Sequence, residues 1–538
     1  MGSAPSRTGC RRGGWPEREC ELVTESQQRV HSGELGTICV SPVAESYREH
    51  TAGQGRAFLP NLLGLLIVAV GLAAYIEGQP MMVWAALPFS FWLAWQAPEK
   101  LVGLLLLSTP IFPVIRVVED RLGAQQVSTR GLYFALDDPL ILALLLGAML
   151  RQITRAGKRI ELFPAGLLGL AALYPLVIAL NTTRLEFSQS MVSFLYYLKW
   201  LQYASVLILI PAVMPMARTQ ALLKIVRRCL TVTLLASAIF AAYEIVEAFR
   251  TASYRSAGLF PRASSFFGTL DPLRFGASED PVNFGVFMMV GGSIALAYAT
   301  QCRRRNTAVH VATVAAAIVG VLLSASRTPI LAAGVAYNRL RRITFGQTAA
   351  VIFGLISLVI ATQLLFPNLW ATTWVRFESI VFEELAIDGS AGSRLNIMLN
   401  APVFEWDSYW FAGHGHSAYR FVAEQHLAKF TNGLSRSLYN FPLTIWYDAG
   451  LFGFLLWCAL FVQLWRRFKR ISMQSVQPEL RALASGLQAA LFCLATASLF
   501  GEFPYNWRVM GYFYACCGAC LAADRAERWW SMRAVACR

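Results

Sequence analysis

The sequence predicts an all-α polytopic membrane protein with about 12–14 transmembrane helices and one large extracytoplasmic loop. Three observations predict it. Hydrophobic residues make up 56% of the chain and charged residues 15%, with a mean hydropathy of +0.47, whereas a soluble domain is near a quarter charged. Apolar runs of membrane-crossing length recur through most of the chain. The basic residues gather in short clusters between those runs, which is the positive-inside arrangement. That distribution also excludes nucleic acid as a partner, although a net charge of +15 has the size of such a signal.

Residues 1–57 form a polar tail carrying Arg7, Arg11, Arg12 and Arg18. They lack the early apolar run of a signal peptide, so a disordered cytoplasmic tail is expected, with His31 and His50 solvated. Apolar runs follow at approximately 58–76, 80–97, 101–118, 135–150, 161–180, 191–213, 226–247, 282–300, 307–325, 328–338, 348–367, 443–465, 482–500 and 508–523. The expected organisation is transmembrane helices with short loops over 58–367 and an extracytoplasmic loop over 368–440. The last helices then occupy 441–524, and a cytoplasmic tail 525–538.

Orientation is set by charge. With the N-terminus inside, Arg151/Arg155/Lys158/Arg159, Lys224/Arg227/Arg228, Arg303–Arg305, Arg339/Arg341/Arg342, Arg466/Arg467/Lys469/Arg470 and Arg525/Arg528 all fall on the cytoplasmic side. The stretches 118–135, 181–190, 248–281, 368–440 and 501–507 then fall outside, and both termini are cytoplasmic. None of the eleven cysteines lies in an expected outer loop, consistent with an exported face that favours paired cysteines or none. The run Cys516-Cys517-Gly518-Ala519-Cys520 has no histidine and reads as small residues at a helix interface.

Three outer features carry candidate chemistry. The stretch 368–440 holds Arg394, His414, His416 and His426 with Trp370, Trp374, Trp406 and Trp410, and connections this long are usually functional. The stretch 250–281 holds Arg250, Arg255, Arg262 and Arg274. So many outer arginines fit an anionic ligand, or a loop solvated on an anionic membrane surface. Arg327 stands between two apolar runs just before Pro329, where a guanidinium can clamp phosphate bidentately or snorkel to the interface. Away from the run ends, the ionisable residues within spans are Lys199, Glu244, His310 and Asp448, each a functional candidate by its cost in lipid. Lys199 lies roughly 12 Å along its helix from the outer end, in reach of an outward cavity. His310 reads as a packed neutral histidine.

A resemblance joins these pieces. Arg262-Ala263-Ser264-Ser265-Phe266-Phe267-Gly268 followed by Pro281-Val282-Asn283 looks like the R-x-x-G-x-F … P-N segment of the O-antigen ligase and polymerase superfamily, with Ser265 in place of its glycine. Ser326-Arg327 resembles that family's Ser-Arg signature. Arg394, then Pro402, then Gly413-His414-Gly415 is similar to its outer-loop run. Tyr439-Asn440, nine residues, and Gly450-Leu451-Phe452-Gly453 match H-N-x9-G-x-x-G in spacing, with Tyr439 at the histidine position.

The resemblance covers roughly residues 190–465 and implies a GT-C-like membrane glycosyltransferase. Its reaction would be metal-independent and need no cofactor. It would polymerise polyprenyl-diphosphate-linked oligosaccharides into O-antigen or exopolysaccharide on the outer face of the bacterial cytoplasmic membrane. The expected partners are the lipid-linked glycan donor, a glycan or lipid acceptor, membrane lipids, and flippase and chain-length regulator proteins. Arg327, Arg394, His416 and Tyr439 are the catalytic candidates; Arg262, Lys199, His414, Asn440 and Trp406 are the substrate-binding candidates. A phenol with its pKa near 10 is a poor base, so Tyr439 is expected to orient a hydroxyl and a nearby histidine or carboxylate to take the proton. A ligase moving the glycan to lipid A core or another acceptor is the alternative within the family. A secondary transporter is the alternative from another class, although no internal repeat is visible.

Overall fold

The computed structural model describes residues 58–77, 80–111, 115–116, 133–154, 165–181, 187–254, 281–302, 307–324, 329, 410–411, 413–416, 440–501 and 503–536. By its contacts the chain divides into a main body, Arg56–Trp529, and a second unit made of Met1–Gly55 with Trp530–Arg538. The bundle of helices belongs to the main body, up to Trp529 of the last helix. The tail 1–57, the apolar runs 328–338 and 348–367 except Pro329, and most of 368–440 lie outside the described residues.

The described residues are almost entirely helical. Helix α1 (Phe58–Ile76) is followed by a 3-10 segment (Pro80–Ala86), α2 (Leu87–Gln96) and α3 (Pro98–Ile111). The run expected to continue to 118 stops being helical at Ile111, and Ile115–Arg116 is instead a strand, β1. Pro110 and Pro113 flank the stop, and a proline both lacks an N–H and pushes the residue before it out of the helical region. β1 pairs antiparallel with β2 (Tyr133–Phe134), Ile115 opposite Phe134. This two-residue ribbon delivers the chain to α4 (Asp137–Thr154). Then come α5 (Ala165–Asn181), α6 (Phe187–Val213), α7 (Thr219–Tyr254), α8 (Pro281–Gln301), α9 (Thr307–Leu323), α10 (Phe441–Gln474), α11 (Pro478–Ser498) and α12 (Trp507–Ala536).

Among the described residues five helical segments are long and apolar enough to cross a membrane: Ser193–Val213, Met216–Tyr243, Val282–Gln301, Phe441–Gln474 and Pro478–Ser498. Three shorter apolar helical segments, Leu59–Ala74, Gly166–Ala179 and Ala308–Leu323, join them. Leu65, Leu176, Ile239, Phe452 and Leu455 are exposed on the bundle's surface. Exposed apolar side chains spread over several helices suit a lipid solvent. The protein is an all-α membrane protein.

The centre of the bundle is α12. Residues 508–524 are buried on every face, as expected of a helix surrounded by others. Gly518 lets α6 approach closely: a Cβ there would meet Val206 O at 3.0 Å. Tyr512 meets the ring of Phe287 on α8 edge-on at 5.1 Å, and its hydroxyl lies 3.4 Å from Thr233 Oγ1 on α7. Cys516, Cys517 and Cys520 are buried in this core as free thiols. His310 is 4% exposed and stacks on Tyr298, the packed position expected of it.

Among the described residues, arginines paired with carboxylates and carbonyls gather at one end of the bundle. There Arg151 Nη2 donates to Trp95 O at 2.6 Å and so caps the last turn of α2. Arg218 pairs with Glu99, Arg227 with Glu479 at 2.7 Å, and Arg467 with Asp524 at 2.5 Å. The opposite end gathers the starts of α4, α6, α10 and α12 with the ends of α5 and α11. It holds the candidate site.

Candidate functional site

The site begins with a break in α10. Asn440 caps this helix: its Oδ1 accepts from Leu443 N at 3.0 Å and its Nδ2 donates to Leu499 O at 3.1 Å. Asn is a favoured residue for that position because its side chain satisfies a backbone N–H that the helix cannot. At Gly450 the backbone turns to φ 66°, ψ −172°, and the helix hydrogen-bond ladder is interrupted. Backbone groups freed in a membrane helix must find other partners.

The segment 410–416 supplies them. His414 N donates to Tyr447 O at 3.0 Å, Gly415 N donates to Asp448 O at 2.8 Å, and Leu451 N donates to Trp410 O at 3.0 Å. Trp446 Nε1 adds a bond to the same Trp410 carbonyl at 3.1 Å. Gly413 and Gly415 have φ of 73° and 116°, conformations that glycine adopts without steric cost. The two glycine motifs singled out in the sequence, Gly413-His414-Gly415 and Gly450-Leu451-Phe452-Gly453, are thus halves of one joint.

The joint separates the roles of the two histidines. His414 Nδ1 lies 3.1 Å from Tyr447 O, so it carries the proton, and the ring stacks on Tyr447 at 4.5 Å. His414 therefore fastens the segment to α10. His416 is 3% exposed, with its carbonyl held by Ser193 Oγ at 2.6 Å. Its ring sits edge-on to Tyr174 at 4.8 Å and to Tyr505 at 4.5 Å, with Trp200 at 6.1 Å.

A polar chain runs through this aromatic box. Trp457 Nε1 donates to Tyr174 Oη at 3.1 Å, and the Tyr174 and Tyr505 hydroxyls are 3.1 Å apart. The Tyr505 hydroxyl also reaches the fully buried Asp448 carboxylate. An indole can only donate and a carboxylate only accepts, so the protons point from Trp457 through Tyr174 and Tyr505 to Asp448. Burial, then the Asp448 charge and Tyr174, push the Tyr505 phenol well above its ordinary pKa, keeping it a neutral donor. Tyr197 Oη donates to Ala171 O at 2.6 Å, the carbonyl that Pro175, four residues on, cannot pair within α5. Trp200 Nε1 is buried and has no hydrogen-bond partner among the described residues.

A second polar group lies on the neighbouring face of α6. Lys199 pairs with Asp138, with the two side chains 14% and 3% exposed. Its ammonium also stands 5.2 Å from the centre of the Tyr203 ring. Asp138 further accepts from Gln202 Nε2 at 2.7 Å and from Ala135 N at 2.9 Å, closing the turn into α4. Tyr203 Oη donates to Asp137 Oδ2 at 3.3 Å, while Asp137 Oδ1 is buried without a hydrogen-bond partner among the described residues. Arg508, 6% exposed at the start of α12, acts electrostatically on both Asp137 and Tyr203.

Of the sequence candidates, the structure brings His414, His416 and Asn440 to one end of the bundle around α10, with Lys199 on adjoining α6. Lys199 meets a carboxylate there, and Asn440 a helix terminus. Arg262, Arg327, Arg394, Trp406 and Tyr439, and the Glu244 side chain, lie outside the described residues. Sequence reasoning missed Asp137, Asp138, Arg508, Tyr174 and Tyr505. The acids and Arg508 stand at the ends of apolar runs, where charge is ordinary; Asp137-Asp138 opening a run was the signal available. No protein-family model matches the chain, and no curated protein matches it.

Proposed function

We propose that the protein is a GT-C-like membrane glycosyltransferase, with 12–14 transmembrane helices and cytoplasmic termini, that polymerises polyprenyl-diphosphate-linked oligosaccharide units on the outer face of the bacterial cytoplasmic membrane. One observation carries the reading furthest. Two separate segments that the superfamily resemblance picks out meet through three backbone hydrogen bonds at the break in α10. They do so at the end of the bundle away from the described arginine clusters.

In this reading Arg262, Arg327 and Arg394 neutralise the diphosphate, since guanidinium matches phosphate oxygens bidentately and keeps its proton. The bond from the anomeric carbon to the diphosphate breaks, and the acceptor hydroxyl oxygen bonds to that carbon. His416 takes the hydroxyl proton, and Tyr439 orients the hydroxyl. The Trp200 N–H beside His416 is buried without a hydrogen-bond partner among the described residues, and in this reading it donates to a sugar oxygen once the substrate enters. An apolar groove of about 610 Å³ between α5 and α10, lined by Leu173, Leu176, Phe452 and Leu455, offers room for polyprenyl.

Deletion tests the reading. A deletion strain should accumulate single repeat units on lipid. Plasmid-borne wild type should restore polymer, while Arg394→Ala and His416→Ala should fail at normal protein levels. Full polymers accumulating on lipid but missing from their acceptor would favour the ligase reading instead. The break in α10 is also a feature of secondary transporters; uptake of a solute lost on deletion, with glycans unchanged, would establish that class.

Sidedness has its own test. A cysteine placed by Ser408→Cys should react with an impermeant thiol reagent in intact cells, and one placed by Ser472→Cys should be protected. The reverse labelling would overturn the proposed orientation and, with it, the outer-face chemistry.

A further inference from the structure

Tyr505 stands in the short connection between α11 and α12, and α5, α10 and the segment 410–416 all meet on it. Its ring lies edge-on to His416 at 4.5 Å, with 75° between the planes, and edge-on to Phe441 at the start of α10 at 5.2 Å. Its hydroxyl lies 3.1 Å from that of Tyr174 on α5 and also reaches the Asp448 carboxylate on α10. Asp448 therefore holds His416 from two directions. Its carbonyl accepts from Gly415 N at 2.8 Å, which fixes the backbone beside the histidine. Its carboxylate fixes the phenol that packs on the histidine ring. Ser193 Oγ completes the backbone grip by donating to the His416 carbonyl at 2.6 Å.

The backbone bonds do not by themselves set the rotation of the imidazole, because the torsion into a histidine ring has broad, roughly two-fold wells. A base must present one nitrogen along one direction, and small misplacements cost large factors in rate. Two edge-on contacts, Tyr505 at 4.5 Å and Tyr174 at 4.8 Å, oppose that rotation, in an arrangement that ring quadrupoles favour. The two tyrosines are tied hydroxyl to hydroxyl, so they act as one clamp. Tyr505 does not compete for the proton that the base takes. Burial, then the Asp448 charge, hold its phenol well above its ordinary pKa.

We propose that Tyr505 is a positioning residue for His416, its phenol anchored to Asp448 and Tyr174 and its ring setting the angle of the imidazole. This role presupposes the reading in which His416 takes the acceptor's proton. It gives the fully buried Asp448 a task in the reaction, which is to anchor what steers the base rather than to take the proton itself. It also brings into the site the connection between α11 and α12, which lies beyond the stretch of roughly 190–465 that the resemblance covers.

The test is a double-variant cycle on the full-length protein in proteoliposomes, with lipid-linked repeat units extracted from the deletion strain as substrate. Tyr505→Phe keeps the ring and removes its anchor; kcat should fall about two- to tenfold, the ordinary weight of one hydrogen bond, with KM unchanged. His416→Gln should lower kcat about a hundredfold or more, read over long incubations. Adding Tyr505→Phe to His416→Gln should then cost nothing further, since a positioning residue acts only through the group it positions. Tyr174→Phe removes the other anchor and leaves both rings in place. It should reproduce the pattern, and it keeps the test open if Tyr505→Phe does not fold. Unchanged kcat in Tyr505→Phe, or an equal fold-loss in the wild-type and His416→Gln backgrounds, would overturn the positioning role and leave His416 as the base. Wild-type kcat in His416→Gln, or no polymer from the wild-type protein, would overturn the underlying reading itself.

Discussion

Gly413→Ala is expected to leave little folded protein, and what remains should unfold at a markedly lower temperature than wild type. The residue has φ 73°, and a Cβ added there would stand 2.4 Å from Gly450 N, 2.5 Å from Ala449 N and 2.6 Å from Asp448 C. All three are backbone atoms of the broken helix and cannot swing aside. The left-handed conformation alone costs an L-residue about 1–2 kcal/mol. Backing the segment away also strains the bonds of His414 and Gly415 to α10, each worth about 0.5–1.5 kcal/mol and more where water cannot replace it. The sum is roughly 3 kcal/mol or more, enough to unfold a marginal protein. Gly415→Ala is the graded companion. Its Cβ would meet Ile178 Cγ1 and Ser193 Oγ at 3.2 Å, side-chain atoms that can shift, so the loss should be smaller. Thermal unfolding of the purified variants decides it. Wild-type behaviour of Gly413→Ala would mean that the segment does not lock onto the break.

Much of the bundle was legible because lipid solvent leaves so plain a mark on sequence. The runs 58–76, 191–213 and 282–300 correspond to α1, α6 and α8 within a few residues. The ends are less legible. α10 continues nine residues past the expected end at 465 and α7 starts seven before 226, because arginine-rich turns stay helical when carboxylates pair them. Arg467 with Asp524 and Arg227 with Glu479 are such pairs. Hydropathy also overran α3, where Pro110 and Pro113 were the better guide.

The candidate site was legible only in pieces. Gly413, Gly415 and Gly450 stood out through a resemblance, and nothing in their spacing says that one pair fills the gap left by the other. That is a fact of tertiary contact. Likewise His414 and His416 have similar flanking residues, yet one fastens a backbone and the other enters an aromatic box. Tyr174 and Tyr505, 331 positions apart, carry no local sign that their hydroxyls meet. An intramembrane carboxylate such as Asp448 does, since its cost in lipid demands partners.

Replacing Lys199 by methionine is expected to destabilise the protein by about 3–5 kcal/mol, the usual result of stripping one partner from a buried ion pair. Asp138 would keep its charge at 3% exposure, with the Gln202 amide and the Ala135 N–H still donating to it but no cation paired with it. Asp138→Asn is expected to cost about as much from the other side, by leaving an ammonium over the Tyr203 ring without its carboxylate. The double variant Asp138→Asn/Lys199→Met removes both charges, and a buried pair replaced by neutral groups is often close to neutral in stability. Its unfolding temperature should therefore recover most of what either single variant loses. Polymer made by a strain carrying the double variant then separates the two roles of Lys199. Recovered stability with recovered polymer assigns Lys199 to the pairing of α4 with α6. Recovered stability with polymer absent would show that its ammonium also contacts the donor or acceptor, as its place within an apolar run suggests. A double variant no more stable than the worse single one would mean that the pair does not hold α4 and α6 together in the way its geometry indicates.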